Sequence, residues 1–351
     1  MRGSIRQLVL FDVADEIRLD ALRGALGIAQ PERVTLFPRS SPDYVRFERA
    51  PVIEPLCTEG LEARAKYYDY GVVSVEIDHP FSLEWPDLVE RSAALLSDPT
   101  TEHRARDLLK ARIEKALPAL VNSYKTWLDE EYAIITVIPE DVGERAADLL
   151  AQHGREIAQI VRGESRRLSD SECQEILSAS LSYYPNDLLV VGWSAAFVYD
   201  QPAAVGPTLQ LLEYANTQLL EFRHYDELLT GVLKDVYRSI DRGTGVWRRW
   251  GLAAEAERFN TVRLDVTEIA ERTETSVKFL SDMFYARMYK LAAARVGVPD
   301  YRRLVDDKLN TARELYEFMV DRFDRGRAFF LEVIVVIILL IEIVFLFRGK
   351  G

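Results

Sequence analysis

The residues with the most unusual chemistry in this chain are two acids inside an apolar run. Glu332 and Glu342 interrupt Ala328–Phe347, AFFLEVIVVIILLIEIVFLF, in which 18 of 20 residues are apolar. Ten residues apart, they sit about 80° apart around a helix. Acids in such a run can reach the nearer headgroup region of a bilayer. They can instead meet other apolar helices in an oligomer as protonated or hydrogen-bonded groups, or mark a proton or ion path. Extending the upstream helical register puts both on the side away from the seam. The plainer expectation is that each acid reaches its nearer headgroup region; the sharper one is an oligomer contact through Glu332 and Glu342.

Other candidates carry a duller alternative. Glu221, Arg223, His224 and Asp226 crowd one helix, and Glu with His on a helix can hold a metal or move protons. Their spacing fits no ligand pattern, so solvated or internal pairing is expected. Trp247-Arg248-Arg249-Trp250 is the one aromatic–basic patch, suited to a lipid surface or RNA; a helix start is the plainer expectation. Tyr67, Tyr68 and Tyr70 read as sheet packing. Cys57 and Cys173 lack metal-type spacing and read as reduced packing residues. His79, His103, His153 and His224 form no H-x-x-x-H pair. The phosphate-loop, G-x-S-x-G and dinucleotide motifs do not occur. No catalytic residue, cofactor or metal is therefore assigned. A net charge of −12 argues against broad electrostatic binding of nucleic acid and against flat adsorption on anionic lipid.

The elements that must position these residues fall into three parts. Residues 1–202 mix strands and helices irregularly, which predicts an α+β domain. Strands are expected at Gln7–Phe11, Tyr67–Ile77, Glu130–Ile138 and Leu188–Tyr199, with shorter apolar runs at Val34–Phe37 and Tyr44–Phe47. Helices are expected at Asp15–Leu26, Ser82–Ser97, Thr100–Val121 and Asp141–Val161. Ser169 with Glu172 predicts a capping box opening Asp170–Ser180. Residues 203–327 predict a helical bundle or coiled-coil stalk. Thr208, Leu212, Ala215, Leu219, Phe222, Asp226, Leu229, Leu233, Val236 and Ile240 step by fours and threes, as a coiled-coil seam does. A second helical segment runs from about Trp250 to Val296, and a third from Asp300. Residues 328–347 are long and apolar enough for one transmembrane helix.

Several stretches resemble a known family. LLEYANTQLLEFRHYDELL (211–229), TETSVKFLSDMFYARMYKLAAARVGV (273–298), FFLEVIVVIILLIEIV (329–344) and Tyr70-Gly71-Val72-Val73 are similar to the YagE/Sif2/Rmd1 family, domain of unknown function 155. The resemblance implies a soluble region before a C-terminal membrane helix. In eukaryotes, relatives in that family are associated with the mitochondrial inner membrane and organellar translation. It carries over no catalytic residues, and the first 65 residues depart from it.

Two functions are expected from these parts. One is a tail-anchored, single-pass membrane protein with its N-terminal bulk in the cytoplasm. It would be a non-enzymatic scaffold that self-associates through stalk and span and contacts lipid and an unidentified protein partner. The other is a membrane-anchored enzyme with a site between the α+β and helical parts. A channel-like role has thin support in a single span with two acids.

Overall fold

In the computed structural model, which describes residues 1–28, 50–58, 61–139, 145–241, 264, 283–315 and 317, the apolar run Leu8–Phe11 is the middle of a much longer strand, β1 (Arg2–Asp12). Chain order continues with β2 (Glu16–Ile17), α1 (Leu19–Leu26), β3 (Val52–Thr58), β4 (Leu61–Tyr67), β5 (Val72–Ser82), α2 (Trp85–Leu96) and α3 (Thr101–Ala116). A 3-10 turn at Leu117–Ala119 leads to β6 (Leu120–Val121) and β7 (Leu128–Ile138). Then come α4 (Ala146–Arg162), α5 (Asp170–Ser178), β8 (Ser180–Leu181), β9 (Leu188–Val191), β10 (Ala195–Tyr199), α6 (Val205–Asp241) and α7 (Met283–Val296). Residues 298–315 are also helical.

Eight strands form one sheet in the order β3-β4-β5-β1-β7-β10-β9-β8. The β7–β10 pair is parallel, and the other described pairs of this sheet are antiparallel. Alternation along each strand divides the side chains between two faces. On one face Ile5, Val9, Phe11, Val73, Val75, Ile135, Val137 and Phe197 are buried under α1 to α5, in two adjoining apolar clusters. Gln7 is the polar exception there. Its amide donates to the Leu95 carbonyl (2.9 Å) and to Thr101 Oγ1 (3.3 Å), and its carbonyl meets His79 (2.8 Å), so burial leaves it satisfied. The opposite face lies against α6. With both faces covered, the strands lose the half-wet alternation of an open sheet.

Local signals explain several boundaries. Ser169 caps α5 by accepting from the Glu172 amide at 3.2 Å. Tyr68–Gly71 makes the tight link between β4 and β5. Gly71 has φ +94°, and a Cβ there would lie 1.8 Å from the Ala14 carbonyl oxygen, so only glycine fits. The strand expected at Tyr67–Ile77 is therefore the end of one strand, this turn, and half of the next. The run Leu188–Tyr199 is a hairpin, β9 and β10, turning through Gly192-Trp193-Ser194.

The described residues form two compact units. One runs from Met1 to His224 and takes in α7 and the residues after it as far as Arg302. In it, every α6 residue from Leu211 to Phe222 is buried. Leu212, Ala215, Leu219 and Phe222 of the expected coiled-coil seam are thus core residues of this unit. The other unit contains α6 from Tyr225 onward and the helical residues from Arg303. There Lys308 donates to Asp226 Oδ1 (2.6 Å) and Thr230 Oγ1 (2.6 Å), and Leu229, Val232, Val305 and Ala312 are buried.

The expected architecture needs one correction. Among the described residues no helix is long and apolar enough to cross a membrane. The fold shown is α+β, without the C-terminal transmembrane helix. The longest described helix, α6, has the length, at ~55 Å for 37 residues. It carries Glu213, Glu221, Arg223, Asp226, Glu227 and Lys234, which no bilayer core accepts cheaply. The tail-anchored, single-pass placement is therefore not supported. The run Ala328–Phe347, Glu332 and Glu342 included, lies outside the described residues. So do Val34–Phe37, Tyr44–Phe47 and most of the second helical segment.

Candidate functional site

The face of the sheet under α6 buries charge instead of grease. Register places Arg64 opposite Glu76 and Lys66 opposite Ser74, while Leu8 flanks Glu76 on the other side. Arg6, two residues along β1, reaches the same carboxylate. Glu76, only 4% exposed, takes both prongs of the Arg64 guanidinium (2.9 and 2.5 Å), the Lys66 ammonium (2.9 Å) and Arg6 Nε (3.3 Å). Burial alone would raise its pKa, but Lys66 and Arg64 outweigh it and hold the carboxyl at about 2. Lys66 is pushed up in turn. Burial opposes its charge, but Glu213 and Glu76 more than restore it.

Helix α6 supplies the other half of this layer. Glu213, Thr217, Glu221 and His224 recur every three or four residues and so share one helical face. Lys66 pairs with Glu213, and Tyr70 Oη meets Thr217 Oγ1 at 2.8 Å. At the far end His224 Nδ1 lies 2.7 Å from Asp12 Oδ2, and its ring stacks on Tyr124 with centroids 4.8 Å apart. Tyr124 donates to Asp15 at 2.5 Å, and Asn122 donates to the same carboxylate at 2.7 Å. Burial raises the Asp12 carboxyl, only partly offset by His224. Arg223 donates to the Asp129 carbonyl (3.0 Å) and pairs with Glu130.

Chemically, the two ends differ. Glu76 is locked as an anion among three cations, a poor acid or base near neutral pH. The Asp12–His224 pair fixes one tautomer of an imidazole, as orienting carboxylates do in acid–base sites.

A second candidate is on the surface beside α7. Tyr183 (52% exposed), Tyr184 (62%), Trp193 (59%) and Met283 (77%) are large side chains left to solvent. The loop bearing the tyrosines is tightly built. Both oxygens of Asp187 are used, accepting from the Tyr183 and Tyr184 amides at 2.7 Å each. The Pro185 carbonyl accepts from Ala146 N at 2.7 Å. Tyr183 packs edge-on to Tyr184 (4.6 Å) and to Phe284 (4.8 Å), the neighbour of Met283. At the other end of α7, Trp193 lies against Gly297.

Of the residues singled out by sequence, Glu221, Arg223 and His224 belong to the buried layer, and Asp226 pairs with Lys308 in the other unit. Cys173 is a buried free thiol, and Cys57 lies on β3. His153 stacks on Trp85, and His103 sits beside Glu102. Among the described residues no group of three or more His, Cys, Asp or Glu is arranged to hold a metal. Trp247–Trp250 lies outside the described residues. Sequence reading missed Arg6, Arg64, Lys66 and Glu76. Their signal was charge at inward positions of apolar strands. Tyr70 also does more than pack, since its hydroxyl bonds α6; Tyr68 stacks on its ring at 5.3 Å.

Residues 2–204 match the model of a family described as "Uncharacterized protein MJ0711, N-terminal domain". The chain is also 20% identical over 293 residues to "Uncharacterized protein MJ0711" of Methanocaldococcus jannaschii, covering 84% of each sequence. No solved structure matches. The resemblance to the YagE/Sif2/Rmd1 family finds no support in these matches. Most of the motifs that suggested it lie beyond residue 204, in heptad-like and aliphatic stretches. Such patterns recur in unrelated helical proteins because they encode only periodicity and apolarity.

Proposed function

For this chain, which belongs to the MJ0711 N-terminal domain family, we propose a non-catalytic scaffold that works by associating with a partner protein. The observation that carries this reading is the braced surface around Tyr183 and Tyr184. Large rigid aromatics are the residues that dominate binding energy at protein interfaces, and fixing them beforehand lowers the ordering cost. Asp187 fixes both tyrosines at the backbone. The buried layer fits the same reading as a specificity device. Its charges pair across α6 and the sheet, and so hold the helix in one register. The α6 seam in this unit is already filled by its own sheet, so association through the aromatic surface replaces association through the seam.

Site-specific photo-cross-linking in the producing cell tests this. A benzophenone side chain at Tyr184 is expected to give a discrete adduct that is lost when Asp187→Ala frees the loop. The same probe at Leu117, an exposed apolar residue elsewhere in the unit, is expected to give none. Identical adducts from both positions would overturn the reading.

The Asp12–His224 pair supports an enzymatic alternative. A small molecule whose thermal stabilisation of the protein is lost in His224→Gln, with the melting temperature of the free protein kept, would favour it.

A further inference from the structure

The chemistry of the partner can be read from the two acids beside the tyrosine loop. Asp187 precedes β9 and Asp200 follows β10, and the pairing of Leu188 with Tyr199 sets the two acids side by side at one end of the hairpin. The Asp187 carboxylate is held under the amides of Tyr183 and Tyr184. Asp200 accepts from the Gln201 amide at 2.7 Å. Among the described residues, no Lys, Arg or His makes an ion pair with either acid, whereas Glu76, Glu130 and Asp226 each have at least one. On α7, Arg287 lies over the Phe284 ring at 5.9 Å. Burial, together with Asp187, pushes the Asp200 carboxyl up to about 6. The loop that exposes Tyr183 and Tyr184 is thus anchored on one of two neighbouring acids, neither of which makes an ion pair among the described residues.

We propose that the Tyr183–Tyr184 loop docks a lysine- or arginine-bearing segment of a partner protein, whose cationic head meets Asp200 and Asp187 while its aliphatic stem lies on the tyrosine rings. This deepens the scaffold reading above and rests on it. Such a segment satisfies both parts of the surface at once. Long basic side chains cover apolar surface with their stems, and a cation gains from the face of an aromatic ring. A second copy of this chain is the poorer fit, because net charge −12 makes each copy repel the other.

The test uses the full chain and three labelled twelve-residue peptides with identical apolar residues, carrying four Arg, four Ser or four Glu. In fluorescence anisotropy the Arg peptide is expected to bind about tenfold or more tighter than the Ser peptide, with the Glu peptide weakest. Tyr184→Ala is expected to weaken the Arg peptide about tenfold. Asp200→Asn is expected to erase the Arg-over-Ser preference while leaving the Ser peptide unchanged. Binding of the Arg peptide that ignores Tyr184→Ala would be diffuse attraction to an acidic protein and would overturn the proposal. Equal binding of all three peptides, still lost in Tyr184→Ala, would overturn the cationic partner and leave the scaffold reading standing. A homodimer in sedimentation that Tyr184→Ala dissolves would overturn it in favour of a second copy.

Discussion

Glu76→Ala is expected to destabilise the protein by about 3–5 kcal/mol, read as a lowered midpoint in urea at unchanged slope. The substitution removes the one carboxylate shared by Arg6, Arg64 and Lys66. Lys66 keeps Glu213, but Arg64 loses both its bonds, and Arg6 keeps only Asp78 at 3.9 Å and a bond to Thr136. Two buried or half-buried cations are then left short of counter-charge, which costs far more than the pair itself contributes. An acid arm accompanies this effect. Because the folded carboxyl titrates at about 2, below its ordinary 4.5, its stabilisation is complete above pH 4.5 and is lost as pH falls toward 2. The loss is of order 3 kcal/mol. In Glu76→Ala that part of the pH dependence should disappear. A cost under about 1 kcal/mol with an unchanged acid arm would show that the cluster is loose and solvated.

Gly71→Ala is expected to cost at least about 3 kcal/mol, from a left-handed backbone combined with a clash no rotamer can relieve. The clash is with backbone, at the Ala14 carbonyl oxygen. That segment has little freedom to retreat. Val13 N donates to Gly71 O (3.1 Å), Asp15 N to Val121 O (3.1 Å) and Ile17 N to Asp69 O (2.9 Å). Asp12 and Asp15 flank it, so the His224–Tyr124 end of the buried layer should loosen too, seen as faster amide exchange in that stretch. Gly24→Ala is the matched control. It lies in α1 with nothing within 4 Å of the added carbon, and alanine there should stabilise by about 0.5–1 kcal/mol. Equal effects at the two glycines would refute the account of the turn.

How much of this was visible in the sequence depends on the range of each interaction. The Ser169–Glu172 cap spans three residues and was legible. So was α6, because eight apolar residues at helical spacing outweigh everything else in that stretch. What its seam packs against was not legible, since a heptad pattern describes a helical face and not its neighbour; Leu212 and Leu219 meet their own unit. The β9–β10 hairpin was concealed because Gly192-Trp193-Ser194 is a short break in an otherwise apolar run. The glycine was the clue. The buried layer was invisible for another reason. Lys66 and Glu213 are 147 residues apart, and Asp12 meets His224 across more than 200. No local pattern connects them. Only the presence of Arg6, Lys66 and Glu76 inside strands of branched and aromatic residues hinted that charge would turn inward.

The place of β1 in the sheet sets a timetable for synthesis. Among the described strands of the sheet, the one made earliest ends up in the middle, bonded on one flank to β5 and on the other to β7. At ~5–20 residues per second, its second neighbour emerges roughly 6–25 s later. Throughout that wait Leu8-Val9-Leu10-Phe11 is a sticky, uncharged ribbon with at least one naked edge, the kind of segment that zips onto copies of itself. Nascent chains of this protein should therefore lean on a holdase during translation. Slowing the ribosome between codons 82 and 128 should raise the aggregated fraction even though the finished molecule is unchanged.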